Sequence, residues 1–288
     1  MEFTSPSDMT ARIRGLGAAP LLMILCEDAV EIDSTITHHL SAGFGHIVLA
    51  LPPGVAAPAG LPPQVHPLHL PERPDDMATT CVNALIDGRP EGAWTAWLYN
   101  AEYLFTPFAE TRTVGEAMTF CTEERRDAIL TFVVDLYAET LATAPNAVDR
   151  DAACMDEVGY FALARWDKEN DEAFDRQLDF HGGLRWRFEE HIPWERRRID
   201  RVAMFRARKG LRLLADHTVT DPEMCTYSAP WHHSMTACIT SFRAAKALST
   251  NPGSRAAVTT FKWDGSVPFE WRAQQLMDLG LMEPGQWF

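Results

Sequence analysis

The chain lacks any long hydrophobic run. The longest strongly apolar stretch, Pro20 to Cys26, is far short of the roughly 20 residues a spanning helix needs, so no integral membrane segment is expected. Positive charge is scarce. Lys and Arg number 26 against 40 Asp and Glu, a formal net charge of -14, which argues against a nucleic-acid-binding surface or an anionic membrane as obligatory partner. Paired cysteine motifs are also missing. Cys26, Cys81, Cys121, Cys154, Cys225 and Cys238 are scattered, with no CxxC and no zinc-like Cys-His spacing, which predicts buried reduced thiols and no disulfide framework. The opening Met-Glu-Phe-Thr-Ser-Pro-Ser-Asp has neither the basic region nor the apolar core of a secretory signal, and a cytoplasmic protein is expected. GxGxxG, the Walker loop, HExxH and GxSxG are all absent, so any chemistry must reside in looser constellations.

What is present is an ordinary globular composition. The 288 residues, 46% apolar and 23% charged, are ample to bury a core. After a polar leader over 1–19, the run Leu21 to Leu25 suits a strand buried on both faces. Asp28 to Leu40 reads as a helix, closed by Gly43 and Gly45, and His46 to Leu51 as a second strand, which together make a βαβ opening. Pro52 to Pro74 is a Pro- and Gly-rich surface excursion with a short strand at Val65 to Leu70. Helices are predicted over Asp76 to Ile86, Val114 to Glu124, Ser234 to Leu248 and Trp271 to Met282. Strands are predicted at Ala93 to Leu98, Ala128 to Val134 and Arg201 to Arg206. No repeat and no clean linker divides the chain, so residues 20–288 read as a single domain.

Several segments, taken in order, resemble one family. Leu21 to Leu51 runs apolar strand, acidic pair (Glu27-Asp28), helix ending at His38-His39, Gly43-Phe44, apolar strand. Trp97 to Leu104 stands where the family has a strand followed by Asp-x-Asp-Glu-Phe-Leu. Gly182-Gly183-x-Arg185-x-Arg187-Phe188 is similar to its Gly-Gly-x-Arg-x-Arg-x-Phe segment. Ile199 to Phe205 with Gly210 and Asp216-His217, Trp231-His232-His233, and Phe269 to Met282 follow in register. The chain thus resembles family 2-like glycosyltransferases of the GT-A fold over roughly residues 20–283. The resemblance implies an α/β, Rossmann-like domain with a mixed, mainly parallel central sheet flanked by helices. It also implies transfer of a sugar from a nucleotide-sugar donor to a glycan or other hydroxyl acceptor.

In that family the Asp-x-Asp pair holds Mn2+ or Mg2+ against the donor diphosphate, through the hard oxygen ligands such an ion needs. Here those positions are Tyr99 and Ala101, and only Glu102 of the acidic cluster remains, so an altered or absent metal dependence is expected. Asp28 keeps an acceptor on the donor side. Gly182 and Gly183, with Arg185 and Arg187, could hold a diphosphate through bidentate contacts. Asp135, at the end of the strongest strand, is a candidate base, and the resemblance adds His217 as acid/base candidate. Each has a plainer alternative. Arg185 and Arg187 could pair with Glu189 and Glu190 at the surface, Asp135 could cap a turn, and His217 could be a satisfied, partly buried histidine. In each of the pairs His38-His39 and His232-His233 one ring is expected inside and one outside. At least half of Trp94, Trp97, Trp186 and Trp231 are expected in the core. Two rival functions stay open: a catalytically inactive pseudo-glycosyltransferase that binds a glycan or partner, and an unrelated α/β hydrolase-like enzyme, for which no nucleophile motif is present.

Overall fold

The apolar run Leu21–Leu25 becomes the strand β1, buried at every position and flanked by parallel neighbours on both edges. The computed structural model describes residues 1–287. In chain order the elements are α1 (Pro6–Arg12), β1, α2 (Ile32–Ser41), β2 (His46–Leu51), β3 (Val65–His69), α3 (Met77–Gly88), β4 (Trp94–Tyr99), β5 (Glu102–Phe105) and α4 (Val114–Glu123). They continue with β6 (Ala128–Ala138), β7 (Ala153–Asp156), β8 (Phe161–Asp167), β9 (Glu172–His181), α5 (Gly183–Arg187), β10 (Asp200–Arg206), β11 (Thr236–Ser241), α6 (Arg243–Thr250), β12 (Ser266–Pro268) and α7 (Ala273–Asp278). The protein is α/β, and the chain divides into two compact units. The first comprises residues 1–103, 111–130 and 202–225, the second 104–110, 131–201 and 226 onward.

The first unit holds a mixed, mainly parallel sheet in the order β3-β2-β1-β4, with β10 antiparallel on β4. Its helices are amphipathic: α3 buries Met77, Ala78, Cys81, Val82, Leu85 and Ile86, and Asp76 caps it through Ala78 and Thr79 N–H. The helix α4 starts with a full capping box between Thr113 and Glu116. In α2, His39 is fully buried with Nδ1 2.6 Å from the Thr35 carbonyl oxygen, while His38 is only partly buried. Burial holds the His39 pKa well below its ordinary value.

In the second unit β6 pairs with β7, β7 with β12, and β11 with β6. A separate two-stranded sheet, β8 with β9, is exposed along most of β8 and over the first four residues of β9. Its base is tied by a buried ion cluster in which Arg165 meets Asp179 at 2.7 Å and Asp200 at 2.6 Å, while Arg198 reaches Asp179 at 3.1 Å. No strand is expected here from the sequence, although Phe161-Ala162-Leu163-Ala164 is a short apolar run. The helix expected over Ser234 to Leu248 is also corrected: Thr236–Ser241 is the strand β11, buried throughout, and helix begins only at Arg243. The β-branched Thr236, Ile239 and Thr240 favour a pleated, covered surface over a helix. All six cysteines are buried thiols.

Candidate functional site

In the first unit the chain leaves β1 toward β2 and β3, then returns to place β4 on the other side of β1. Strand order therefore reverses between β1 and β4, and in open α/β sheets ligands bind outside the carboxyl ends of the strands at such a point. Cys26-Glu27-Asp28 follows β1 there, and Asn100-Ala101 follows β4. The two segments are locked together. Asn100, fully buried, accepts from Glu27 N–H at 2.8 Å and donates through Nδ2 to Asp28 Oδ1 and to the Val30 carbonyl, both at 2.8 Å. Asp28 Oδ1 also accepts from Val30 N–H at 2.9 Å, so a partly exposed carboxylate is held in one orientation at the rim. Arg73, exposed beyond the end of β3, donates to the Glu27 carbonyl at 3.0 Å, which brings a guanidinium to the same strand end.

The two positions where the resemblance places metal carboxylates carry none. Tyr99 is 6% exposed and packs edge-on to Trp97, and Ala101 is fully buried with its N–H given to Thr35 Oγ1 at 3.0 Å. Glu102 is fully buried and its carboxylate accepts Tyr99 N–H at 2.9 Å. Among the described residues no group of three or more His, Cys, Asp or Glu side chains is arranged to hold a metal ion. His217, at φ 66, sets its ring edge-on to Trp97 at 5.1 Å, and Trp97 donates through Nε1 to the Val202 carbonyl at 3.0 Å.

The remaining candidates meet in the second unit. Asp135 on β6 is 1% exposed and accepts Leu184 N–H, in the first turn of α5, on Oδ2 at 3.1 Å. Its Oδ1 has no hydrogen-bond partner and lies 3.8 Å from Arg185 Nε. Burial pushes the Asp135 pKa up to about 6. The Arg185 guanidinium opposes that rise, the Asp156 charge adds to it, and the amides of Leu184 and Arg185 oppose it. The two glycines allow this approach: at Gly183 (φ +60) a Cβ would stand 3.0 Å from Asp135 Oδ2, and at Gly182 (φ +154) it would strike Tyr160 Cδ1 at 2.3 Å. Arg187 donates through Nε to Asp156 at 2.9 Å and through Nη2 to the Phe261 carbonyl at 2.7 Å, with the Trp263 ring 5.0 Å away. Arg185 donates to the Arg198 carbonyl at 2.7 Å. Both arginines are thus in ion pairs, but with Asp135 and Asp156, far off in sequence; Glu189 pairs instead with Arg197 at 2.8 Å.

The structure therefore gathers Asp135, Gly182, Gly183, Arg185 and Arg187 in one unit, and Asp28, Glu102 and His217 in the other. Sequence reasoning passed over Asn100, Arg73 and Asp156. Asn100 was legible as a polar residue directly after an apolar strand, whereas nothing local marks Arg73 or Asp156. Comparison with known proteins finds no matching family model and no curated protein of significant similarity.

Proposed function

We propose that the protein is a glycosyltransferase-like enzyme that binds a nucleotide-sugar at the carboxyl ends of β1 and β4 and transfers the sugar to a hydroxyl acceptor. The observation that carries this reading is the Asn100-locked Asp28 carboxylate at the reversal point of the parallel sheet, an acceptor for ribose hydroxyl or base N–H groups. Arg73 at the same strand end supplies positive charge for the diphosphate, which suits a site where Tyr99 and Ala101 stand in place of a carboxylate pair and Glu102 is buried against Tyr99 N–H.

The test is thermal unfolding against UDP, GDP, CMP and dTDP sugars, with manganese or with EDTA. A ligand at 100 times its dissociation constant adds about 2.7 kcal/mol of stability and raises the midpoint by several degrees. A selective shift that survives EDTA and is lost in Asp28→Ala and Arg73→Ala is the expected result. No shift with any donor, or a shift that requires manganese, overturns it.

A second reading, a non-catalytic descendant that binds a glycan or partner, is favoured by the burial of Tyr99, Ala101 and Glu102. Donor binding with no sugar release or transfer over hours at high protein concentration would select it.

A further inference from the structure

The second unit carries a cluster of rings that the reading above leaves unused. Phe161, at the start of β8, stacks on its register partner His181 with centroids 5.3 Å apart and planes 19° from parallel. His181 stacks in turn on Trp194 at 5.4 Å and 25°, and Trp186 meets Phe161 edge-on at 6.0 Å and 75°. His181 is 4% exposed, yet Phe161 is 41%, Trp186 45% and Trp194 60% exposed. Large apolar side chains exposed singly need no explanation; three exposed rings in one chain of contacts, two of them backed by a buried fourth, form a patch of the kind that marks a binding site.

The rings are held in place. His181 backs two of them from below. Gly159, at φ +90, has no side chain where a Cβ would stand 3.5 Å from the Trp186 ring. The Arg197 guanidinium lies 5.6 Å from the Trp194 ring centroid, pinned by Glu189 at 2.8 Å and by the Ile192 carbonyl at 2.9 Å. A platform fixed before binding loses little freedom when a ligand lands on it.

The chemistry around the rings selects the ligand. The Arg197 guanidinium over Trp194 and the Glu189 carboxylate paired with it put groups of both signs beside the flat apolar faces, and Glu190, Glu195 and Arg196 are close by in the chain. A phosphate-rich ligand would meet a guanidinium already neutralised by Glu189, and a wholly apolar partner would strip water from charges it could not hydrogen-bond. A pyranose satisfies both parts: its C–H face lies flat on a ring, and its hydroxyls reach the rim. We infer that this platform is a glycan subsite, binding successive sugar rings of a neutral oligosaccharide on Trp194 and in the corner between Trp186 and Phe161. The inference rests on the glycosyl-transfer reading for its biological sense and supplies the acceptor class that reading leaves open.

The experiment titrates the full chain with cellohexaose, chitohexaose, mannohexaose and maltohexaose, following tryptophan fluorescence and heat of binding. At least one sugar should bind saturably, and Trp194→Ala and Trp186→Ala should each weaken it more than tenfold, with Trp194→Tyr restoring most of the affinity. Trp166→Ala, equally exposed on the hairpin at 52% but outside the stack, should leave binding unchanged. Circular dichroism checks each variant, and Trp194→Leu, which keeps apolar area but not the flat ring, replaces any alanine variant that does not fold. No saturable binding, or binding indifferent to these rings, overturns the inference. So does a dimer in sedimentation that Trp194→Ala dissociates, because a second copy would then cover the platform. The nucleotide-sugar shift is run in parallel. Glycan binding without it overturns the glycosyl-transfer reading alone, and nucleotide binding without glycan binding overturns the platform alone.

Discussion

Asp156 is 2% exposed at its side chain and accepts from Tyr137 Oη at 2.6 Å, Trp263 Nε1 at 2.7 Å and Arg187 Nε at 2.9 Å. Removing that carboxylate would strand the Arg187 charge in a mostly buried site. Asp156→Ala should therefore cost about 3 to 5 kcal/mol in urea unfolding, the range for breaking a buried pair from one side. Asp135 makes a different demand, because only its Oδ2 is hydrogen-bonded and burial favours its protonated form. Its folded pKa of about 6 lies above its ordinary 3.8. The sign follows directly: the folded state binds this proton more tightly than the unfolded one, so the contribution is fully present below pH 3.8 and is lost as pH rises through about 6. The shift of roughly two units corresponds to a change on the order of 3 kcal/mol. Asp135→Asn, which cannot ionise, should gain stability relative to the native protein by up to that amount between pH 4 and pH 7.5. A stability difference that does not vary with pH would refute the buried-proton account. At this scale the sequence disclosed which residues had suitable chemistry, but not their partners. Glu189 and Glu190 were the near neighbours of Arg185 and Arg187, yet pairing is decided by which carboxylates the fold buries alongside them, and those came from β6 and β7.

Among elements, α5 depends most on backbone geometry. It has five residues, too few to be stable alone, and is seated by Asp135 at Leu184 N–H and by Leu184 in an apolar cluster with Tyr137, Phe261 and Leu248. Gly183→Ala should cost about 1 to 2 kcal/mol from the left-handed conformation alone. The close Cβ approach to Asp135 Oδ2 adds to that, so a neutral result in thermal unfolding would contradict the geometry. The legible elements were those whose pattern is dominated by burial, such as β1, β2, β4 and β6, together with the capped helices α3 and α4. The hairpin of β8 and β9 escaped because its first residues on both strands face water, so the apolar run Phe161 to Ala164 is too short and too exposed to mark a buried strand. In β11 the Thr-Ala-Cys-Ile-Thr-Ser run was absorbed into the helix that follows it, although its β-branched residues were the available signal.

For the whole molecule, the two units are interleaved along the chain, and the first is completed only by residues 202–225. There β10 closes the edge of β4, Val202 supplies the carbonyl for Trp97 Nε1, and Leu213 exchanges hydrogen bonds with the Asn83 side chain at 2.8 and 3.1 Å. A fragment of residues 1–130 should accordingly show no cooperative melt by circular dichroism, and a stable folded fragment would show this late segment to be dispensable. Composition by itself determined the class of molecule, since apolar content, acidic balance and scattered cysteines follow from residue counts. Local pattern determined the opening βαβ unit and the buried strands, because period and caps act between neighbours a few residues apart. Tertiary structure alone decided that Asn100 fixes Asp28 and that Glu102 is sealed against Tyr99. It also buried Asp135 beside Arg185, gathered the rings of Phe161 and Trp194 on His181, and set Trp186 edge-on to Phe161. Each of those arrangements joins residues through space, where burial and the satisfaction of polar groups select partners that no sequence spacing encodes.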